Sequence, residues 1–454
     1  MKHAHSIVGA AAVLAVVLSG TGAAAAATPN EADTTKGGVT YSRDVAPILQ
    51  ARCLSCHRPG QIGPMPLRSY DEVRPWAKSI AKQVSLREMP PWFAHPDSRP
   101  MKVDQNLRQE EIDAIVAWAE SGAIEGDPAD LPPPREFATY KGGWVHRQPD
   151  LELRPERASQ VAKEVDDEYR CYHVKLGLER DVWVKGTEFQ PGNPGVVHHF
   201  ILFQDTNGVG AALDGATADP GWVCGQMEAS LATAKIIEMW APGNTAPLDP
   251  RGIAMRLEAG KDLILQIHFH NTTGADAEDW SRFALHLAQP SETIVKEVRG
   301  QLVSAWTLDI KAGDPNAEHR AAWTAPEDIT LYTSGGHMHY RGKDIGMWAT
   351  RPGGERETLL WIPNYDFNWQ FTYEFKEPYR APAGTTFEMV SHHDNSTNNP
   401  FNPAIPPVDV KFGLATSDEM AFTGFSYTID DESLGVTPWV PGKAAGATEA
   451  TAGH

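Results

Sequence analysis

Two periodicities divide the chain. From Tyr41 to Gly126 apolar residues recur at helical spacing: Asp44 to Arg52 predicts a helix running into Cys53, and Leu107 to Glu120 predicts another. In the second, Ile112, Ile115, Val116 and Ala119 share a face, Asn106 and Gln109 have capping-box spacing at the start, and Gly122 can end it. Beyond Asp166 the pattern changes to short alternating segments bounded by Gly, Pro, Asn and Asp, such as Val196 to Phe203, Leu263 to Asn271 and Thr385 to Val390. That pattern predicts antiparallel sandwiches, and about 270 residues of it exceed one ordinary sandwich. The expected fold class is multidomain: a small all-α domain, then two all-β antiparallel sandwich domains divided near Gln289-Pro290.

The expected boundaries are 1–27 for a leader, 37–125 for the helical domain, 126–165 for a Pro-rich linker, 166–290 and 291–435 for the β domains, and 436–454 for a disordered tail. The leader reading rests on Lys2 with no acid, an apolar run from Ile7 to Leu18 and small residues from Gly20 to Ala27, the layout of a secretory signal peptide. The run is too short to span a bilayer, and no later stretch approaches the ~20 apolar residues a spanning helix needs. A periplasmic or secreted protein without a membrane span is expected. A formal charge of −19, with no Lys/Arg block, repels phosphate backbones and excludes nucleic acid as a partner.

Of four cysteines, Cys171 and Cys224 stand alone, and two spare thiols in an oxidising compartment point to a disulfide between them. The other pair forms Cys53-Leu54-Ser55-Cys56-His57, the attachment motif for c-type haem, in which both thiols add to the ring and His57 becomes the proximal iron ligand. A zinc knuckle would need two further nearby ligands, and a thioredoxin-like dithiol a strand-to-helix junction; neither context surrounds this motif. The surroundings resemble small class I cytochromes c over about 85 residues: a leading helix, the motif, Gly63-Pro64 and a closing helix with Trp118. The resemblance implies that the Gly-Pro carbonyl orients the proximal histidine. A thioether is expected as distal ligand, with Met89 in Arg87-Glu-Met-Pro-Pro-Trp92 chosen over Met65, and His95 next in line.

Four features of the β region carry a second chemistry: Val197-His198-His199, Leu265-Gln266-Ile267-His268, His337-Met338-His339 and Ser417-Asp418-Glu419-Met420. On a strand, residues i and i+2 share a face, so His337 and His339 can clamp one ion. Leu263, Leu265, Ile267 and Phe269 would line the core face of their strand, with Ile264, Gln266, His268 and His270 looking away from it. His198 and His199 would oppose each other in a regular strand, so joint ligation demands a bulge. Imidazoles plus a thioether favour copper; without Met420 zinc would be the default.

The order and spacing of these features resemble the copper type II, ascorbate-dependent monooxygenases, the family of peptidylglycine hydroxylating monooxygenase and dopamine β-hydroxylase, over about residues 166 to 430. Tyr169-Arg-Cys171 and Cys224 upstream of Trp240-Ala-Pro-Gly-Asn244 add to the likeness. It implies two eight-stranded antiparallel jelly-roll domains, an electron-delivering copper on His198, His199 and His268, and an oxygen-binding copper on His337, His339 and Met420. It also matches the Cys171–Cys224 pair to a family disulfide and leaves His270 unused. His392 and His393 are expected to face solvent or a cleft in a loop-like stretch, and His173 to be structural. Gly335 and Gly424 replace an arginine and a tyrosine of the peptide-amidating enzyme, so a peptide carboxylate is not the expected substrate.

The expected activity is copper-dependent hydroxylation of a C–H bond in a small organic molecule by dioxygen. Two copper ions and one covalent haem c serve as cofactors, and electrons from an external redox protein or small reductant are expected to be relayed through the fused haem to the copper on His198, His199 and His268. The alternative is a periplasmic haem/copper electron-transfer or copper-binding protein without oxygenase activity.

Overall fold

The computed structural model describes residues 38–442 apart from 60, 62, 138, 139, 166, 225–233, 243, 245–247 and 414; the expected leader and the residues past 442 lie outside the described part. In the helical segment, Tyr41–Val45 is a π-helical turn that continues into the α-helix Ala46–Arg52, and Cys53 follows directly. The helix Ala77–Ser85 packs against Gln109–Glu120, and Leu49, Ile80, Val84, Ile112, Ile115 and Trp118 close a small apolar cluster between these elements. The start of the last helix differs from expectation. Asp104 accepts the Asn106 amide in a local turn, which moves the N-cap to Arg108, whose amide donates to Glu111 Oε2 at 2.8 Å. Gly122, at φ +98, turns the chain away beyond Glu120 as expected.

The chain does not form the expected all-α cytochrome domain followed by two all-β antiparallel jelly-roll domains. Strand accounts for 35% of the structure and helix for only 12%, and from Val39 onward the described residues form one compact unit. The physical reason lies in the segment after Met89. Ala94 enters the core of the C-terminal β region, with Trp92, Phe93 and Met101 packed around it. The His95 amide donates to the Trp361 carbonyl at 2.8 Å, Arg99 Nη1 pairs with Glu357 at 2.6 Å, and Met101 bridges Phe375. The segment after Met89 thus ties the small helical cluster to the β core, so the helical part does not stand as a separate domain.

Four principal sheets make up the rest. One five-stranded sheet runs in the order Leu151–Leu153, Arg282–Leu287, Val182–Gln190, Ile253–Leu257, Lys296–Glu297, the last pair being parallel. Another runs Trp222–Val223, Glu168–Val174, Leu263–Phe269, Val197–Gln204, Lys235–Trp240, and both contribute to one apolar cluster around Phe200, Leu265, Phe269 and Phe283. Two four-stranded sheets share a second cluster around Leu331, Met338, Met347 and Phe387. One holds Arg299–Ser304, Ala421–Ile429, Ile329–Met338 and Thr372–Ala381; the other holds Ala317–Thr324, Thr386–His393, Gly342–Thr350 and Arg356–Ile362. The Pro-rich stretch before residue 166 is not linker throughout, since Leu151–Leu153 and Ser159–Val161 are paired strands. At the far end, Val440 is buried in the Phe200 cluster with Trp439 packed against it, so the expected disordered tail begins with packed residues.

Candidate metal centre

The His198–His199 strand has the irregularity that joint ligation demands. Its pairing with Leu263–Phe269 slips between Val197 and His199, which lets both imidazoles turn to one side. Their Nδ1 atoms lie 3.1 Å apart, and His268 Nδ1, across the strand pair, lies 3.2 Å from the first and 3.4 Å from the second. A point about 1.9 Å from all three nitrogens exists, close to the about 2.0–2.1 Å of an imidazole–metal bond. Neutral imidazoles cannot satisfy three mutually facing ring nitrogens with protons alone, so the donor set fits a cation.

The protonation of the triad is set around it. Burial, then the neighbouring His268 and His270, push His198 down to about 3, and burial puts His199 well below the ordinary histidine value. The His268 ring is stacked on Tyr169 at 4.3 Å, and its Nε2 donates to Asp167 Oδ1 at 2.8 Å, which leaves the Nδ1 lone pair for the metal. Burial alone would raise the Asp167 carboxyl, but the hydrogen bonds from His268 and Thr416 outweigh it and hold it at about 2. Contrary to expectation, the His268 strand buries both faces. It lies between two neighbouring strands, Ile264 packs with Cys171, Phe203 and Trp222, and Gln266 Nε2 faces both sulfurs of the Cys171–Cys224 disulfide, at 3.8 and 3.6 Å.

His337 is the last residue but one of the strand Ile329–Met338, which pairs with Ala421–Ile429 so that Met338 faces Ala421; continuing that register brings His339 beside Met420. The His337 and His339 rings lie 5.1 Å apart and perpendicular. His337 Nδ1 donates to Gln370 Oε1 at 2.5 Å, which directs the Nε2 lone pair outward. His339 Nδ1 is buried with no hydrogen-bond partner. Burial pushes His337 down to about 4 and His339 well below the ordinary value, so both are neutral donors. The turn is held by Glu419, fully buried, which accepts the amides of His339, of Arg341 at 3.0 Å and of Met420 at 3.0 Å. Tyr365 holds the residue between the histidines: its hydroxyl accepts the Met338 amide at 3.0 Å and donates to the Met338 carbonyl at 2.7 Å.

The two donor sets are neighbours. The Phe367 ring is stacked on His198 at 4.8 Å and stands edge-on to His339 at 5.9 Å. Asn244 joins the same loop, donating to the Gln370 carbonyl at 2.8 Å and accepting the Thr372 amide at 3.0 Å. Asp167, Tyr365, Phe367, Gln370 and Glu419 carry no sequence signature of their own. Only Glu419, inside the segment ending at Met420, lay within a singled-out motif.

In the haem motif, Cys53 and Cys56 are unpaired, and burial raises both thiols, Cys53 to about 12. His57 Nδ1 bonds a backbone carbonyl at 3.1 Å, but the carbonyl is that of Met65 and not that of Pro64. A Cβ on Gly63 would lie 2.7 Å from both the Cys56 oxygen and His57 Nδ1, so only glycine lets the chain pass beneath the imidazole. Free thiols beside an oriented histidine fit covalent haem attachment. Met65 packs on the helical cluster, Met89 is partly buried outside it, and the His95 ring lies tilted against Trp361 at 4.3 Å.

Other histidines sort by their partners. His173 Nε2 pairs with Asp262 at 2.9 Å, a structural contact as expected, and the His270 ring stands 6.4 Å from that of His198, outside the triad. His392 and His393 are not in a loop: they end the strand Thr386–His393, where pairing with Ala317 and Gly342 buries His393 completely. His392 bonds Asp344 at 2.8 Å. At Gly335 a Cβ would lie 3.2 Å from the Phe371 carbonyl, and at Gly424 it would lie 3.0 Å from Leu302, so neither place has room for a long side chain without a shift.

No protein-family model and no curated protein matches the chain. Among solved structures, PNGF-II aligns over 62% of this chain and 64% of its own at 7% identity and TM-score 0.25, so the chain spans less than two thirds of that structure. The major capsid protein P2 from Bacteriophage PM2 aligns over 64% and 99% at 7% identity and TM-score 0.25. The infectious bursal disease virus VP2 subviral particle aligns over 62% and 71% at 7% identity and TM-score 0.18. Likenesses this low assign neither a family nor a function.

Proposed function

We propose that the chain is an exported, copper-dependent monooxygenase with a covalent haem c at Cys53, Cys56 and His57. The observation that carries the reading is the convergence of three Nδ1 atoms at His198, His199 and His268 within one aromatic ring of His339, whose ring lies 5.1 Å from that of His337; with Met420 these two form the second donor set of this reading. A thioether in the second set, with no thiolate in either, favours copper over zinc. Copper, when bound, supplies one-electron redox chemistry and a place for dioxygen to react. In the net reaction one oxygen atom enters a C–H bond and the other leaves as water, using two electrons and two protons from an external redox protein or small reductant. The chain's own contribution is positional: Asp167 and Gln370 set the tautomers of His268 and His337, while Glu419 and Tyr365 fix the turn that presents His339.

The substrate class is a small organic molecule with no carboxylate requirement, since Gly335 leaves no cationic group at the position the peptide-amidating enzymes use. The test is incubation of reduced, copper-loaded protein and a cleared cell extract with isotopically labelled dioxygen. The expected result is a small molecule carrying one labelled oxygen, absent with His339→Ala. Dioxygen consumption without a labelled product would favour a haem/copper electron-transfer protein instead.

A further inference from the structure

Asp167 bonds a ligand of one donor set and the first residue of the segment that leads to the other. Its Oδ1 accepts from His268 Nε2 at 2.8 Å, and its Oδ2 accepts from Thr416 twice, from Oγ1 at 2.6 Å and from the amide at 3.1 Å. His268 is 2% exposed, so its ring cannot turn without breaking the first bond. Thr416, also buried, opens the segment Thr416-Ser-Asp-Glu-Met420, whose Glu419 clamps the His339 turn and whose Met420 is the thioether donor. One carboxylate therefore stands between the third ligand of one set and the backbone that presents the other.

We propose that Asp167 is a positioning residue that couples the two metal sites, so that metal binding at the triad and at His337, His339 and Met420 is positively cooperative through the Asp167–Thr416 contact. The inference rests on the two-site metal reading and adds a connection that neither donor set contains. A cation on His268 Nδ1 draws density from the ring and strengthens the bond from Nε2–H to Asp167. That fixes the carboxylate, and with it the two donors of Thr416 and the start of the Met420 segment. Because linkage is reciprocal, metal on the second set steadies Thr416 and so favours the His268 orientation the triad needs.

The experiment is an anaerobic titration of the full-length protein with Cu(I) against a chromophoric chelator, reading triad affinity with the second site intact or disabled by Met420→Ala. In the wild-type background Met420→Ala is expected to weaken triad binding about fivefold or more, the lower end of ordinary coupling. In a Thr416→Val background, which removes the Oγ1 bond and no metal ligand, the same change should shift it about twofold or less. Thr416→Ser keeps the hydroxyl and should restore the full effect, which separates coupling from a folding defect. An equal Met420→Ala effect in the wild-type and Thr416→Val backgrounds, or none in the wild type, would overturn the coupling while leaving the metal reading intact. Copper binding that does not depend on His198, His199 or His268 would overturn both.

Discussion

At the residue scale, Asp167→Asn keeps the side chain's size but places an amide donor where either His268 Nε2–H or Thr416 needs an acceptor. Partners of this kind typically carry a 10–100-fold effect on metal affinity, and a loss of about that size is expected at the triad, measured by chelator competition with the fold checked by circular dichroism. An unchanged affinity would mean that His268 is held by its stack on Tyr169 alone. The three converging histidines were legible in the sequence, because a His-His pair and a further histidine on apolar strands advertise their chemistry. Asp167 and Gln370 were not: they act through contacts separated by 101 and 33 positions, which no local pattern encodes.

At the scale of elements, the expected bulge at His198–His199 is present because two adjacent histidines on a strand cannot otherwise face one point, and the pairing slips there. Continuing the Met338–Ala421 register sets His339 beside Met420 along the chain, and Glu419 holds the amides of both. Glu419→Gln would turn a donor toward one of three amide hydrogens. A cost of about 1–3 kcal/mol is expected for a buried group left unsatisfied, seen as a lowered Tm and a weakened second metal site, with the triad weakened less and only through its coupling to that site. Loss of copper from the triad instead would show that the clamp serves the wrong set. The polar face assigned to the His268 strand failed for a physical reason: alternation distinguishes two faces but does not reveal that both are covered, here by the Phe200 cluster and by the disulfide cluster.

At the scale of the whole molecule, the helical and β periodicities were legible, but their separation into an all-α domain and β domains was not. Ala94 and Arg99, which bind the helical segment to the β core, lie in a stretch without periodicity. The same is true of Asp150, which ties the stretch before the β region to Leu287 and is bonded by Arg147 Nη2 at 2.7 Å and by the Leu287 amide at 2.8 Å. Burial alone would raise its carboxyl, but those bonds outweigh it and hold it below 3.8. Its contribution is therefore fully present above pH 3.8 and is lost as pH falls through the lower folded value, at no more than about 1.4 kcal/mol per pH unit. The Tm of Asp150→Asn should be lower than wild type at pH 5 and should fall less between pH 5 and 3; parallel curves would place the acid sensitivity elsewhere.

The central claim is two unlike copper sites built from His198, His199 and His268 and from His337, His339 and Met420. Metal analysis after anaerobic loading with equal copper and zinc tests it most directly, on the wild type and on His268→Ala and His339→Ala. The account predicts two copper ions per chain in the wild type and one in each variant. A single copper in the wild type, or zinc taken up in its place, would contradict it.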